Sequence, residues 1–120
     1  ASELTLHQEI KRRIETMADW FKTDRNFMLQ LAGCESTFDI YAKNENEPKG
    51  GTSIGLFQWQ EGSWNYYNKK VFKTQFNRAL WQDQVDLTAR VLSRFGSADW
   101  IKCTEYIRKG NDFVKDYLSK

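Results

Sequence analysis

The sequence predicts a single, compact, mainly α-helical α+β domain with one small irregular or β-hairpin region. Three observations carry that expectation. Apolar residues recur at three- and four-residue spacing in several windows, while β-branched residues are scarce and the chain holds one proline. Helix-opening residues stand ahead of these windows at Thr5, Asp24, Asn77, Ser97 and Asn111. The period breaks from Ser36 to Ser53, where turn formers crowd together. A length of 120 residues fits one domain over 1–120, and surface scaling lets such a chain bury about two-thirds of its surface on folding. A core is therefore available without a metal or a dense disulfide framework.

Taken in order, Thr5 and Gln8 read as a capping box, and Ile10, Ile14, Met17 and Phe21 mark one face of a helix over 5–21. Asp24 caps a second helix that carries Phe27, Met28, Leu31 and Ala32 and runs out near Glu35. Glu35 thus sits at a helix C-terminus. Asn44, Asn46, Pro48, Gly50 and Gly51 make 36–53 a long loop or small hairpin, and such a loop in a compact domain is more often functional than idle. Ile54-Gly55-Leu56-Phe57-Gln58-Trp59 is a short apolar segment, followed by an aromatic and basic stretch over 64–76. Asn77 opens a long helix through Leu80, Trp81, Val85, Thr88, Val91, Leu92 and Phe95, which Gly96 stops. Ser97 caps a helix through Trp100, Ile101 and Tyr106, and Asn111 a last one through Phe113, Val114, Tyr117 and Leu118.

Eighteen basic and sixteen acidic residues leave a net charge of +2, far below that of a dedicated nucleic-acid binder. The charge is uneven. Residues 35–47 hold Glu35, Asp39, Glu45 and Glu47 against Lys43, whereas 66–80 hold Lys69, Lys70, Lys73 and Arg78 with no acid. With Trp64, Tyr66, Tyr67, Phe72, Phe76 and Trp81 interleaved, the basic stretch has the composition of a single-strand nucleic-acid platform. A solvated basic edge over an aromatic core is the expectation preferred here, with no nucleic-acid partner. His7, Cys34 and Cys103 are too few and too far apart for a zinc site, so no metal or other cofactor is expected. No window approaches the ~18 apolar residues of a membrane span, and the N-terminus shows neither an apolar signal region nor a cleavage site. An exported chain would accordingly be a mature form or an excised domain.

Two motifs invite chemistry. Gly51-Thr52-Ser53-Ile54-Gly55 fits the nucleophile-elbow pattern, but turn formers precede it where a strand is needed, and His7 lies upstream instead of following the serine. The second is Cys34-Glu35-Ser36 with Gly55-Leu56-Phe57-Gln58-Trp59. A carboxyl at a helix end beside Phe38, Phe57, Trp59 and Trp64 would be desolvated, its pKa raised, and its proton available to a leaving group. Protonating a glycosidic oxygen is one such task, and aromatic faces with amide side chains suit sugars. Periodicity alone favours the plainer reading, a solvated helix-end carboxylate at Glu35 and a core segment over 54–59.

The ordered motifs resemble a known family. Cys34-Glu35-Ser36-Thr37-Phe38-Asp39, Ala42-Lys43-Asn44 and Ser53-Ile54-Gly55-Leu56-Phe57-Gln58 look like the lytic transglycosylase pattern of an ES pair, a small polar residue nine positions later, and GLMQ. The chain also resembles the bacterial resuscitation-promoting factors through Cys34-Glu35-Ser36, Gly50-Gly51, Gly55-Leu56-Phe57-Gln58, Ser63-Trp64, Gln84-Val85, Arg90-Val91-Leu92 and Trp100-Ile101-Lys102-Cys103. The resemblance covers 27–103. It departs at Tyr67-Asn68, where lysines follow instead of the usual Ala-Gly, and at Phe57, which replaces the methionine of GLMQ.

What this resemblance implies is a lysozyme-like α+β fold and a glycosidase acting on the β-1,4 bond between N-acetylmuramic acid and N-acetylglucosamine of peptidoglycan. Glu35 is the implied acid/base, and Asn44, Gln58, Trp59, Ser63, Trp64 and Gln84 are implied substrate contacts. A Cys34–Cys103 disulfide is implied as well, and with it an extracytoplasmic location. Peptidoglycan glycan strands are the expected partner, met by a monomer. The preferred outcome is lytic transglycosylation, in which the muramic acid C6 hydroxyl attacks and a 1,6-anhydro end forms. The alternatives are a hydrolytic muramidase, needing a second carboxylate from Asp39, Glu45, Glu47 or Asp83, and a non-catalytic module that binds cell-wall or chitin oligosaccharides.

Overall fold

The computed structural model describes residues 3–47 and 51–118. Its first helix, α1 (Leu6–Trp20), opens on the expected reciprocal cap: Gln8 N–H donates to Thr5 Oγ1 at 3.2 Å, and Thr5 N–H to Gln8 Oε1 at 2.9 Å. These bonds satisfy amides that have no partner within the helix. Ile10, Ile14 and Ala18 repeat at four and are fully buried. Helix α2 (Arg25–Ser36) begins where Asp24 Oδ1 accepts from Phe27 N–H at 3.0 Å. Met28, Leu31 and Ala32 face the core.

The aperiodic stretch folds into a small antiparallel sheet. Strand β1 (Lys43–Asn44) pairs with β2 (Ser53–Ile54), which pairs with β3 (Trp59–Gln60), in the order β1-β2-β3. Lys43 lies opposite Ile54 and Asn44 opposite Ser53. Pro48 and Gly50, expected among the turn formers, lie outside the described residues. Helix α3 (Glu61–Asn65) runs directly into a π-helical turn (Tyr66–Val71). The aromatic and basic stretch is thus mostly helical, and buried Asn68 closes it, donating to Phe76 C=O and accepting from Thr74 Oγ1 and Phe76 N–H.

Helix α4 (Trp81–Phe95) packs its Val85, Leu87, Val91 face into the core and ends at Gly96, whose φ of 82° is open to glycine. It starts three residues later than a cap at Asn77 would place it. Asn77 Oδ1 is used by Ala79 N–H in a local turn, and Leu80 and Phe95, expected on the buried face, are half exposed. A 3₁₀ turn (Ala98–Trp100) leads into α5 (Ile101–Arg108), with Ser97 at its head but giving no side-chain cap. Before α6 (Lys115–Leu118) the capping group is Asp112, which accepts from Val114 and Lys115 N–H, whereas Asn111 turns back to the Tyr106 carbonyl. Carboxylate oxygens compete well for the free amides of a helix start.

Helices α1, α2, α4 and α5 surround one core, with α1 against both α2 and α4, and α2 against α5. Arg13 forks onto Asp86 at 2.8 and 3.2 Å, joining α1 to α4. Cys34 and Cys103 form a disulfide between α2 and α5. The result is the mainly α, α+β architecture that the sequence predicted. No described helix is long and apolar enough to cross a membrane.

Candidate functional site

Glu35 is the penultimate residue of α2, and three contacts hold the backbone around it. Cys34 is bonded to Cys103. Ser36 Oγ donates to Ala32 C=O at 3.1 Å or to Leu56 C=O at 2.9 Å, linking the helix end to the segment between β2 and β3. Thr37 and Phe38 follow at φ 54° and 59°, two consecutive non-glycine residues in the left-handed region. Such backbone costs energy and persists when its surroundings over-determine it. Here the buried Phe38 ring stacks on Tyr117 at 3.7 Å between centroids, and Tyr117 stacks on His7 at 4.2 Å.

The Glu35 side chain is half-buried. Burial pushes its carboxyl up to about 7, and the negative charge of Glu47 adds to that rise. Loss of water penalises the carboxylate more than the neutral acid, and no hydrogen bond from the described residues offsets the penalty. Near neutral pH a substantial share of Glu35 therefore keeps its proton, the condition for a general acid.

Of the four carboxylates considered as second groups, Glu47 is the one whose charge acts on Glu35 among the described residues. Its Oε1 accepts from Ser53 Oγ at 2.8 Å and from Asn44 Nδ2 at 3.0 Å, and those two residues face each other across the β1–β2 pair. Asn44 is exposed and also accepts from Asn46 N–H through Oδ1. Asp39 closes a turn by accepting from Tyr41 N–H, Glu45 pairs with Lys43 in solvent, and Asp83 accepts from Asn77 N–H ahead of α4.

The expected saccharide contacts divide sharply. Gln58 stands at φ 53° in the β2–β3 turn, half-buried, with Nε2 donating to Gly55 and Ala42 carbonyls. Its side chain braces the turn. Ser63 is half-buried within α3. Trp59, Trp64 and Gln84 correct the expectation, because each is interior. Trp59 and Trp64 meet edge to face at 5.4 Å in the core, and Trp59 Nε1–H donates to Thr88 Oγ1 at 2.9 Å. Gln84 is 1% exposed, and its amide is spent on backbone, accepting from Phe57 N–H and donating to Ile54 and Arg78 carbonyls. A groove-lining residue needs accessible surface, and these three have almost none.

Two groups at the site, placed by the sequence only in the last helix and in the basic stretch, come to it through long-range contacts. Tyr117 reaches Phe38 from the far end of the chain. Arg78 donates to Thr52 and Trp59 carbonyls, so one residue of the basic stretch buttresses the sheet. Both contacts are long-range and leave no local pattern. Two surface depressions of about 370 and 300 Å³ lie elsewhere, one between Arg12, Met17 and Trp81 and the other between Asn26, Gln30 and Asp112.

No family model matches the chain, and no curated protein or solved structure matches it either. Fold and site together define a disulfide-linked, mainly α domain that presents a desolvated carboxylic acid at a helix end, with a hydrogen-bonded carboxylate on the neighbouring hairpin.

Proposed function

We propose that this domain is a lysozyme-like glycosidase that cleaves the β-1,4 bond between N-acetylmuramic acid and N-acetylglucosamine in peptidoglycan, with Glu35 as its acid. The observation that carries the reading is the desolvated Glu35 carboxyl, raised to about 7 at the end of α2. Its position within the Cys34-Glu35-Ser36 and Gly55-Leu56-Phe57-Gln58 motifs supplies the substrate class by resemblance. Glu35 donates its proton to the bridging oxygen as the C1–O bond breaks and positive charge develops on the sugar ring. The resulting carboxylate then accepts the proton of the muramic acid C6 hydroxyl as that oxygen closes on C1. A 1,6-anhydro end forms, no water is consumed, and Glu35 returns to its acid form.

Ser36 and the disulfide serve this chemistry by holding the helix end, Gln58 braces the hairpin turn, and the exposed Asn44 on that hairpin is a polar contact for the glycan strand. The disulfide favours an oxidising, extracytoplasmic setting, where peptidoglycan is found. The test is clearing of purified sacculi followed by turbidity. The wild-type chain should clear them and Glu35→Gln should not, with the variant's fold verified by circular dichroism. Saccharide binding without turnover by the wild type would overturn the proposal.

A further inference from the structure

Two arginines on α4 lie over aromatic rings instead of pairing with acids. Arg90 Cζ stands 4.7 Å from the centroid of the Phe21 ring and 5.5 Å from that of Phe76. Four residues further along α4, Arg94 Cζ stands 5.3 Å from the Phe95 centroid and 5.9 Å from that of Phe72. Residues at that spacing are neighbours on a helix surface, so the two guanidinium groups form one row with a rise of about 6 Å between their positions. Arg13 and Arg25 are spent on Asp86, Asp19 and Glu15, whereas neither Arg90 nor Arg94 donates to any acceptor among the described residues. Arg90 is half-buried, and its Nε–H is buried without a partner. Asp99, an acid that meets the cluster, accepts from the hydroxyl of Tyr67 at 2.7 Å, and Tyr67 packs on Phe72 and Phe95. Lys69, Lys70 and Lys73, on and just after the π-helical turn that leads to Phe72, are exposed and form no ion pair among the described residues.

We propose that the Arg90–Arg94 row is a binding surface for a linear polymer of phosphodiester-linked polyols, an anionic component of a cell wall, and that it works without Glu35. Stacking on a ring fixes the plane of a guanidinium and leaves its in-plane N–H groups free for two-pronged bonds to an oxyanion. A part-buried guanidinium without acceptors forgoes hydrogen bonds, and an external anion restores them. Two such forks one turn apart match charges repeated at short intervals along one chain. Carboxylates that branch from alternate sugars of a glycan strand are spaced too widely for that match. A single-stranded nucleic acid fits less well, because it binds by stacking bases on open aromatic faces, and Phe21, Phe72, Phe76 and Phe95 each carry a guanidinium already. The Cys34–Cys103 bridge favours an oxidising setting outside the cytoplasm, where wall polymers are found.

The experiment is calorimetric titration of the full chain with three probes of equal charge: poly(glycerol phosphate), hyaluronan as a carboxylate glycan, and a single-stranded oligonucleotide. Poly(glycerol phosphate) should bind at least about tenfold more tightly than the other two, and its affinity should fall as salt rises from about 0.02 to about 0.2 M. Arg90→Gln with Arg94→Gln should weaken that binding at least about tenfold, as loss of two charge-assisted forks requires. Arg94→Lys keeps the charge but not the planar fork and should weaken it at least about threefold. Arg108→Gln with Lys109→Gln, which removes the same charge from exposed positions at the end of α5, should change it less than about twofold. If the double arginine variant fails to fold by circular dichroism, the exposed Arg94→Gln alone decides, and it too must weaken binding at least about threefold. No binding of poly(glycerol phosphate), equal or tighter binding of either other probe, or equal losses in the Arg94 and Arg108–Lys109 variants would overturn the proposal. Binding is read without turnover, so each result stands apart from the outcome of sacculus clearing.

Discussion

Gly55 and Gln84 fit together with no room between them. A Cβ added to Gly55 would run into the Gln84 side-chain amide, and Gly55 also holds φ 81°, a conformation that L side chains rarely adopt. The amide cannot retreat, because its oxygen accepts from Phe57 N–H and its nitrogen donates to Ile54 and Arg78 carbonyls. Gly55→Ala should therefore destabilise the domain by about 2–4 kcal/mol, combining a positive-φ penalty with overpacking. Gln84→Leu should cost at least as much by leaving the buried Phe57 N–H and the partly buried Ile54 and Arg78 carbonyls unpaired, at about 1–3 kcal/mol for a fully buried group. Urea unfolding of each variant measures both, and a loss below about 0.5 kcal/mol in either would contradict this packing.

The Cys34–Cys103 bridge spans 69 positions and ends beside the proposed acid. Closing a loop of that length restricts the unfolded chain by about 4 kcal/mol in the chain-entropy treatment, with observed values commonly lower. Double replacement by serine should reduce unfolding free energy by about 2–4 kcal/mol. Sacculus clearing by the folded variant should fall as well, because the strained Thr37–Phe38 turn loses a restraint. Thiol titration of the unreduced, denatured chain should find no free thiol.

Glu35 also makes a prediction about stability. Its pKa is higher in the folded state, about 7 against an ordinary 4.5, so the native state holds the proton more tightly than the unfolded chain does. The sign follows from linkage: stability is undiminished below about pH 4.5 and is lost as pH rises towards 7. The loss is on the order of 1–3 kcal/mol after allowing for partial solvent access. Glu35→Gln should consequently match the wild type near pH 4 and exceed it near pH 8 in thermal melts. Equal wild-type and variant stability at pH 8 would show that the carboxyl is not desolvated.

The same ionisation governs turnover in the proposed reaction. Only the protonated acid can donate, so clearing of sacculi should decline as pH rises through about 7. Glu47→Gln removes a neighbouring negative charge and should move that decline to lower pH. A descending limb that stays in place would separate Glu47 from Glu35.

Tyr117 supplies a structural control. Its ring is packed between Phe38 and His7, but its hydroxyl is buried without a hydrogen-bond partner among the described residues. Tyr117→Phe should preserve stability or raise it by up to about 1 kcal/mol, whereas Tyr117→Ala should cost about 3 kcal/mol by emptying the stack. Destabilisation by the phenylalanine variant would mean that the hydroxyl has a role.

Much of the frame was legible locally. The Thr5–Gln8 box and the Asp24 cap set the starts of α1 and α2 because capping is decided within four residues. The turn formers after Ser36 announced the hairpin in the same way. Capping failed as a guide at Asn77 and Asn111, where a nearby turn or the stronger acceptor Asp112 took over. At the site, Glu35 was legible as a helix-end carboxyl. Trp59, Trp64 and Gln84 were not legible as interior, because aromatic rings and amides serve cores and sugar grooves alike until their long-range partners are known.

From its residues alone, this chain determined a helical domain with one interruption and an acid at the close of its second helix, since periodicity and capping act over a few neighbouring positions. Only the tertiary structure decided that this acid is desolvated, that Cys34 meets Cys103, and that Glu47 is held by Ser53 and Asn44. Desolvation and charge coupling depend on distances through space, and strand register together with helix packing sets those distances between residues far apart in the chain.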